Sequence, residues 1–174
     1  MTTNPSDLIA VQNLVYIPMG LDWSTPFIEK EGTEYGACSF RLNDLSILFR
    51  TAKITPTKTG QFVTLWKRTG KSPIHPFDLS DPIDLFVVST RRNNLLGQFV
   101  FPKSVLYKKD IVSKNGQGGK RAIRVYPSWD RPANDQAKKT QTWQLDYFLE
   151  ISEDQSVDLT RSRKLYQPHN KICY

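Results

Sequence analysis

Apolar positions along the chain change their spacing several times, and each change marks an element. Leu8, Val11 and Val15 fall three and four apart behind Ser6, which predicts a short capped helix stopped by Pro18. From Met19 to Thr33 no period holds. Between Tyr35 and Leu42 the apolar residues Cys38, Phe40 and Leu42 alternate, the spacing of a half-buried strand. Asn43-Asp44 reads as a turn, Leu45 to Ile54 as the partner strand and Thr55 to Gly60 as a loop. Gln61 to Lys67 predicts a third strand, with Phe62, Thr64 and Trp66 on one side and Val63, Leu65 and Lys67 on the other. A proline-rich acidic loop covers Pro73 to Pro82. A hairpin follows, Ile83 to Ser89 and Leu95 to Phe101, turning around Arg91 to Asn94. Pro102 opens a short helix to about Asp110, Lys114 to Lys120 forms a flexible basic connection, and Ala122 to Tyr126 is another strand. Asn134 caps the best helix of the chain, with Ala137, Gln141, Gln144, Phe148 and Ile151 along one side. The polar tail after Glu153 is expected on the surface. Strands and helices in this order predict an α+β or α/β domain with a mixed sheet.

Composition narrows the class. The 174 residues are 39% hydrophobic and 24% charged, as expected of one soluble globular domain able to bury a core without disulfides or metals. No apolar run approaches the roughly 20 residues that span a bilayer, and the first residues lack a signal-peptide pattern. Only Cys38 and Cys173 are present, and Cys38 falls in a strand pattern, so the expected setting is a reducing cytoplasm.

The net charge of +7 is unevenly spread. Between Arg41 and Lys71 seven cations stand against Asp44 alone, and between Arg91 and Arg124 nine stand against Asp110 alone. Asp78, Asp81 and Asp84 lie between these blocks. The densest stretch, Arg50 to Arg68, holds Arg50, Lys53, Lys58, Lys67 and Arg68 without an acid. A solvated face usually mixes signs, so this stretch points to an anionic partner, and its plainer reading is a merely soluble surface.

Six segments in order carry a resemblance to a known family. They are Glu34-Tyr35, the stretch Arg50 to Arg68, Pro76-Phe77-Asp78 with Asp81 and Asp84, Phe101-Pro102-Lys103, Gly119 to Trp129, and Thr140 to Gln144. Over roughly residues 34 to 151 the chain resembles the MepB-like family. The resemblance implies a fold similar to the restriction-endonuclease-like core, a mixed central sheet flanked by helices, and carries no established cellular function with it.

That fold raises the question of a metal-dependent nuclease. Such a site needs two or three carboxylates on Mg²⁺ and a lysine beside the attacking water, the last acid and the lysine appearing as acid-x-Lys on one strand. No Asp-x-Lys or Glu-x-Lys occurs in the chain; at the corresponding place stand Leu65-Trp66-Lys67. A displaced-acid site would have to rest on Glu34, Lys53 and Lys67, and Mg²⁺ would be a cofactor only in that case. His75 and His169 are far apart, Gly116 to Lys120 departs from the P-loop spacing, and no Ser or Cys sits in a nucleophile elbow.

A binding constellation remains. Arg50, Lys53, Lys58, Gln61, Lys67 and Arg68 surround a Pro/Gly loop, and Arg124, Tyr126 and Trp129 add a cation and two rings. Arginine forks take phosphate and aromatic faces stack on bases, which suits DNA or RNA. For Trp66, Trp129 and Trp143 core or rim packing is the stronger reading. Gln141 and Gln144, nearly one turn apart, reach either a ligand or the backbone of a sheet edge. The expected function is non-catalytic binding of a phosphate-bearing partner, nucleic acid first. The alternatives are the displaced-acid nuclease and a regulatory or small-ligand protein in which Lys53, Arg124 and Gln144 converge on an anionic metabolite.

Overall fold

The computed structural model describes residues 5–151 and 154–167, and a six-stranded mixed sheet forms its centre. The strands of this sheet are β1 (Phe27–Ile28), β2 (Cys38–Leu42), β3 (Leu45–Thr51), β8 (Leu85–Arg92), β9 (Leu95–Pro102) and β11 (Phe148–Ile151), in that spatial order. Between β3 and β8 in sequence lie β4 (Lys53–Ile54), β5 (Gln61–Thr64), β6 (Trp66–Lys67) and β7 (His75–Pro76). With β10 (Ala122–Val125), β5 and β4 make a small second sheet in the order β10-β5-β4, and β6 pairs with β7. The helices are α1 (Ser6–Val11), continued by a π turn over Gln12–Tyr16, α2 (Lys103–Lys108), α3 (Asp135–Leu145) and α4 (Leu159–Tyr166).

Alternation along the central strands explains the layering. In β3, Ile47 and Phe49 point to one face and Leu48 to the other, and all three are buried. Such a strand reads as a continuous apolar run because both faces are covered. On the first face Leu8, Val11, Val15 and Tyr16 pack with Leu165 and Tyr166 of α4 against Phe40, Phe49, Val87 and Val100. On the second, Val63, Ile123 and Val125 of the small sheet and Leu106 of α2 cover Leu48, Phe86, Val88, Phe99 and Phe101. Among the paired strands of the described residues only β3 and β8 run parallel, with Ile47 opposite Leu85 and Phe49 opposite Val87. Their crossover is therefore the segment that builds the second sheet, and it carries most of the Arg50 to Arg68 stretch.

Several sequence expectations change in the folded chain. The Leu45–Ile54 strand divides at Ala52, whose N–H donates to Ser89 O at 2.9 Å, and Lys53–Ile54 then joins the other sheet. Gln61 to Lys67 divides at buried Leu65, whose N–H donates to Arg121 O at 2.8 Å before β6 turns to pair with β7. The helix capped by Asn134 stops at Leu145, and Phe148 and Ile151 belong to an edge strand. Spacings of three and four fit a helix, but burying Phe148 against Phe99, 4.7 Å between rings, takes precedence over continuing one whose face is polar. Ser6 does not cap α1; Pro5 occupies the cap without a side-chain bond. The tail is not all surface, since α4 buries Leu165 and Tyr166 and is capped by Asp158, which accepts from Arg161 N at 2.9 Å. His169 and Cys173 lie outside the described residues. Among those residues no helix is long and apolar enough to cross a membrane.

Candidate functional site

The cations of Arg50 to Arg68 do not form one surface. Arg50, Lys67 and Arg68 line a cleft of about 730 Å³ on the second face of the central sheet, and each has an acid beside it. Arg50 is 3% exposed, and its guanidinium grips Glu29 with two bonds, of 3.1 and 2.8 Å, while also donating to Phe49 O at 2.8 Å. Lys67 is paired with Asp81, and Arg68 Nε lies 3.1 Å from Glu31 Oε1. A buried guanidinium needs such a partner because an unpaired charge out of water is costly. These three cations are charge-compensated, contrary to what the acid-free stretch suggested, since their acids come from other parts of the chain.

A second cleft, of about 920 Å³, opens between the small sheet and α3. Lys58, Lys109, Lys120, Arg124 and Lys139 line it, and no carboxylate does. None of the five forms an ion pair among the described residues. The loop that carries Lys58 is held at its base. Gly60 has φ +83°, and a Cβ there would lie 2.6 Å from the Tyr126 ring, so only glycine lets the backbone cross that ring. Arg124 Nη1 donates to Gly60 O at 3.2 Å, and the Asp130 carboxylate accepts from Gly60 N and from Arg92 Nη1 at 3.1 Å. Burial pushes the Asp130 carboxyl above its ordinary value, with Arg92 opposing.

The opposite wall is α3, capped by the Asn134 side chain, which accepts from Ala137 N at 2.8 Å. This helix is anchored by polar groups. Gln144, 1% exposed, donates to Arg124 O at 3.0 Å and accepts from Tyr126 N at 2.9 Å, so it completes the free edge of β10. Gln141 donates to Pro127 O at 3.0 Å and Asp130 O at 2.8 Å. Gln61 is likewise buried and donates to Arg91 O at 3.3 Å. These three amides satisfy backbone in the structure. Tyr126 is covered by Gly60, and Trp129 stands edge-on to Phe148 at 5.6 Å beside a neighbouring chamber.

Sequence reasoning found Lys58, Arg124, Tyr126 and Gln144 of this cleft, noted Lys109 and Lys120 only as charge, and passed over Lys139 and the cleft side of Trp143. Lys139 and Trp143 are four apart on α3 and so neighbours on one helical face, a spacing that could have paired them.

The residues of the displaced-acid nuclease are engaged as follows. Glu34 is exposed on a 3₁₀ turn, Lys53 lays its ammonium 4.5 Å from the Tyr35 ring centroid, and Lys67 is held by Asp81. The Asp78 carboxylate is taken by the backbone N–H groups of Ser80 and Gly116 and by the Ser113 and Ser80 hydroxyls, which hold it well below the usual carboxylate range. Asp84 accepts from Ser46 N at 2.8 Å. Among the described residues no group of three or more His, Cys, Asp or Glu could hold a metal ion. Nor does Cys38 supply a nucleophile, its thiol being pushed up to about 12 by burial.

Fold and clefts together define an α+β protein in which Arg50, Lys67 and Arg68 of one cleft are each paired with an acid while the other cleft is lined by cations and no carboxylate. The MepB-like family model matches residues 29–150, and the chain belongs to the MepB-like family. It is similar to the crystal structure of MepB, with 32% sequence identity and a TM-score of 0.72 over 84% of this chain and 97% of that one. A bacterial homing endonuclease, I-Ssp6803I, is more distantly similar, with 16% identity and a TM-score of 0.46 over 80% of this chain and 86% of that one. No curated protein matches the chain.

Proposed function

We propose that this MepB-like chain binds nucleic acid in the cleft between the small sheet and α3, holding phosphates without cleaving them. The observation that supports this reading is the sign of the lining: five cations from the Thr55–Gly60 loop, the end of α2, the segment before β10, β10 itself and α3, with no carboxylate among them. Elements that far apart in sequence do not gather one sign for folding, because mutual repulsion opposes it. A polyanion relieves that repulsion. The nuclease and small-metabolite readings have no comparable support. Lys53 and Arg124 lie on either side of Phe62 across the small sheet, and the Gln144 amide is used by the β10 backbone.

Fluorescence polarisation with labelled oligonucleotides tests the proposal. If four phosphates are neutralised, raising salt from about 50 to about 200 mM weakens binding roughly fifty- to a hundred-and-fifty-fold. Absent or salt-insensitive binding overturns it.

A further inference from the structure

We infer that the cationic cleft selects single-stranded nucleic acid and takes one unpaired base on the indole of Trp143. This inference rests on the nucleic-acid reading and specifies its substrate class. Three large aromatic residues stand in or near the region, and two of them are not presented to this cleft as Trp143 is. Tyr126 is 9% exposed beneath the Gly60 backbone, and Trp129 lines the neighbouring chamber instead of this cleft, in a T-shaped contact with Phe148.

Trp143 differs. It is half-buried, lines the cleft and rests on Phe101 with 5.5 Å between ring centroids. The Lys109 ammonium lies 5.2 Å from its ring centroid, and Lys109 is itself exposed. A solvated cation over an indole occupies a ring face that core packing has not claimed, and it is held there weakly, by about 0.5–1 kcal/mol at exposed sites. A base stacked on the same ring gains about 1–3 kcal/mol, so it can displace the ammonium. The displaced Lys109 then meets a phosphate of the same strand, and Lys139, one turn from Trp143, reaches the next. A duplex keeps its base faces stacked on one another and can use only the cations. Five cations also exceed the charge of a single mononucleotide, which favours a strand over a free nucleotide.

Three probes separate the terms: a labelled oligothymidylate of about 12 nucleotides, a duplex of the same length, and inorganic polyphosphate, which has charge but no bases. The native chain should bind the single strand about tenfold tighter than the duplex and lose tryptophan fluorescence on binding it. Trp143→Leu should weaken single-strand binding about tenfold, leave the salt slope unchanged and shift duplex and polyphosphate binding less than about twofold. Trp143→Phe, which keeps a ring on Phe101 should leucine loosen the fold, should retain most of the affinity while losing the fluorescence change. Lys109→Gln should lower the single-strand salt slope by about one. Equal binding of single strand and duplex, or a Trp143→Phe chain whose fluorescence still falls as in the native chain, overturns the Trp143 assignment and leaves the basic cleft standing. No binding of any probe by the native chain overturns both.

Discussion

Two clefts of similar size flank the crossover of this protein, and overlapping stretches of sequence supply their cations. In one, Arg50, Lys67 and Arg68 each meet an acid, respectively Glu29, Asp81 and Glu31. In the other, Lys58, Lys109, Lys120, Arg124 and Lys139 meet none. Charge in the first cleft is internal to the fold: it locks β3 to the segment after β1 and β6 to the acidic loop. Charge in the second is left over after folding, and left-over charge of one sign is what a partner can use. Counting cations along the chain does not distinguish the two; counting their acids in space does.

The sharpest way to break the comparison is to remove a charge whose partner is built in. Arg50→Ala strands Glu29 in a partly buried position and should cost about 3 kcal/mol of stability by urea denaturation. Lys139→Ala, on an exposed position of α3, should change stability by less than about 0.5 kcal/mol. If both variants are equally stable, the distinction between structural and left-over charge fails.

Binding should divide the other way. Reversing Lys58, Lys120 and Lys139 to Glu should weaken oligonucleotide binding about a hundredfold or more at low salt, whereas Lys67→Glu with Arg68→Glu should change it less than about threefold. Equal losses from both sets in folded chains would place the binding surface across the two clefts.

A smaller effect is expected in the wall of the cationic cleft. Gln144→Leu leaves Tyr126 N and Arg124 O without their partners and should cost about 2 kcal/mol. Hydrogen exchange should rise first in α3, because that helix is tied to β10 through this amide.

The smallest effect concerns acid. Bonds from Ser80, Gly116 and Ser113 depress the Asp78 carboxyl in the folded chain, so its contribution is fully present above the unfolded value of about 3.9. It is lost as pH falls further toward the depressed folded value. Urea midpoints of the native chain and Asp78→Asn should therefore converge as pH drops from about 5 to about 2, and a gap that stays constant would remove Asp78 from the acid response.

Local order was well marked in the residues. Alternation in Cys38 to Leu42, the hairpin before Pro102 and the Asn134 cap all name elements that form, because period, turn chemistry and capping act over a few residues. The misread element boundaries share one cause. Ala52 and Leu65 sit where a single apolar pattern hands over from one sheet to another, and nothing local marks the exchange of hydrogen-bond partners. Phe148 and Ile151 fit a helical spacing, and their strand exists because Phe99 and Leu96 stand opposite them. Of the candidate site residues, Lys58 and Arg124 could be singled out by charge, while Trp143 could not be told from a core tryptophan.

By itself the sequence determined the α+β character, most element positions, the excess of positive charge and the resemblance to the MepB-like family, all properties of neighbouring residues or of ordered segments. Only the tertiary structure decided which cations are compensated. Glu29, Glu31 and Asp81 lie 21, 37 and 14 residues from the cations they neutralise, and ion pairing depends on distance in space rather than along the chain.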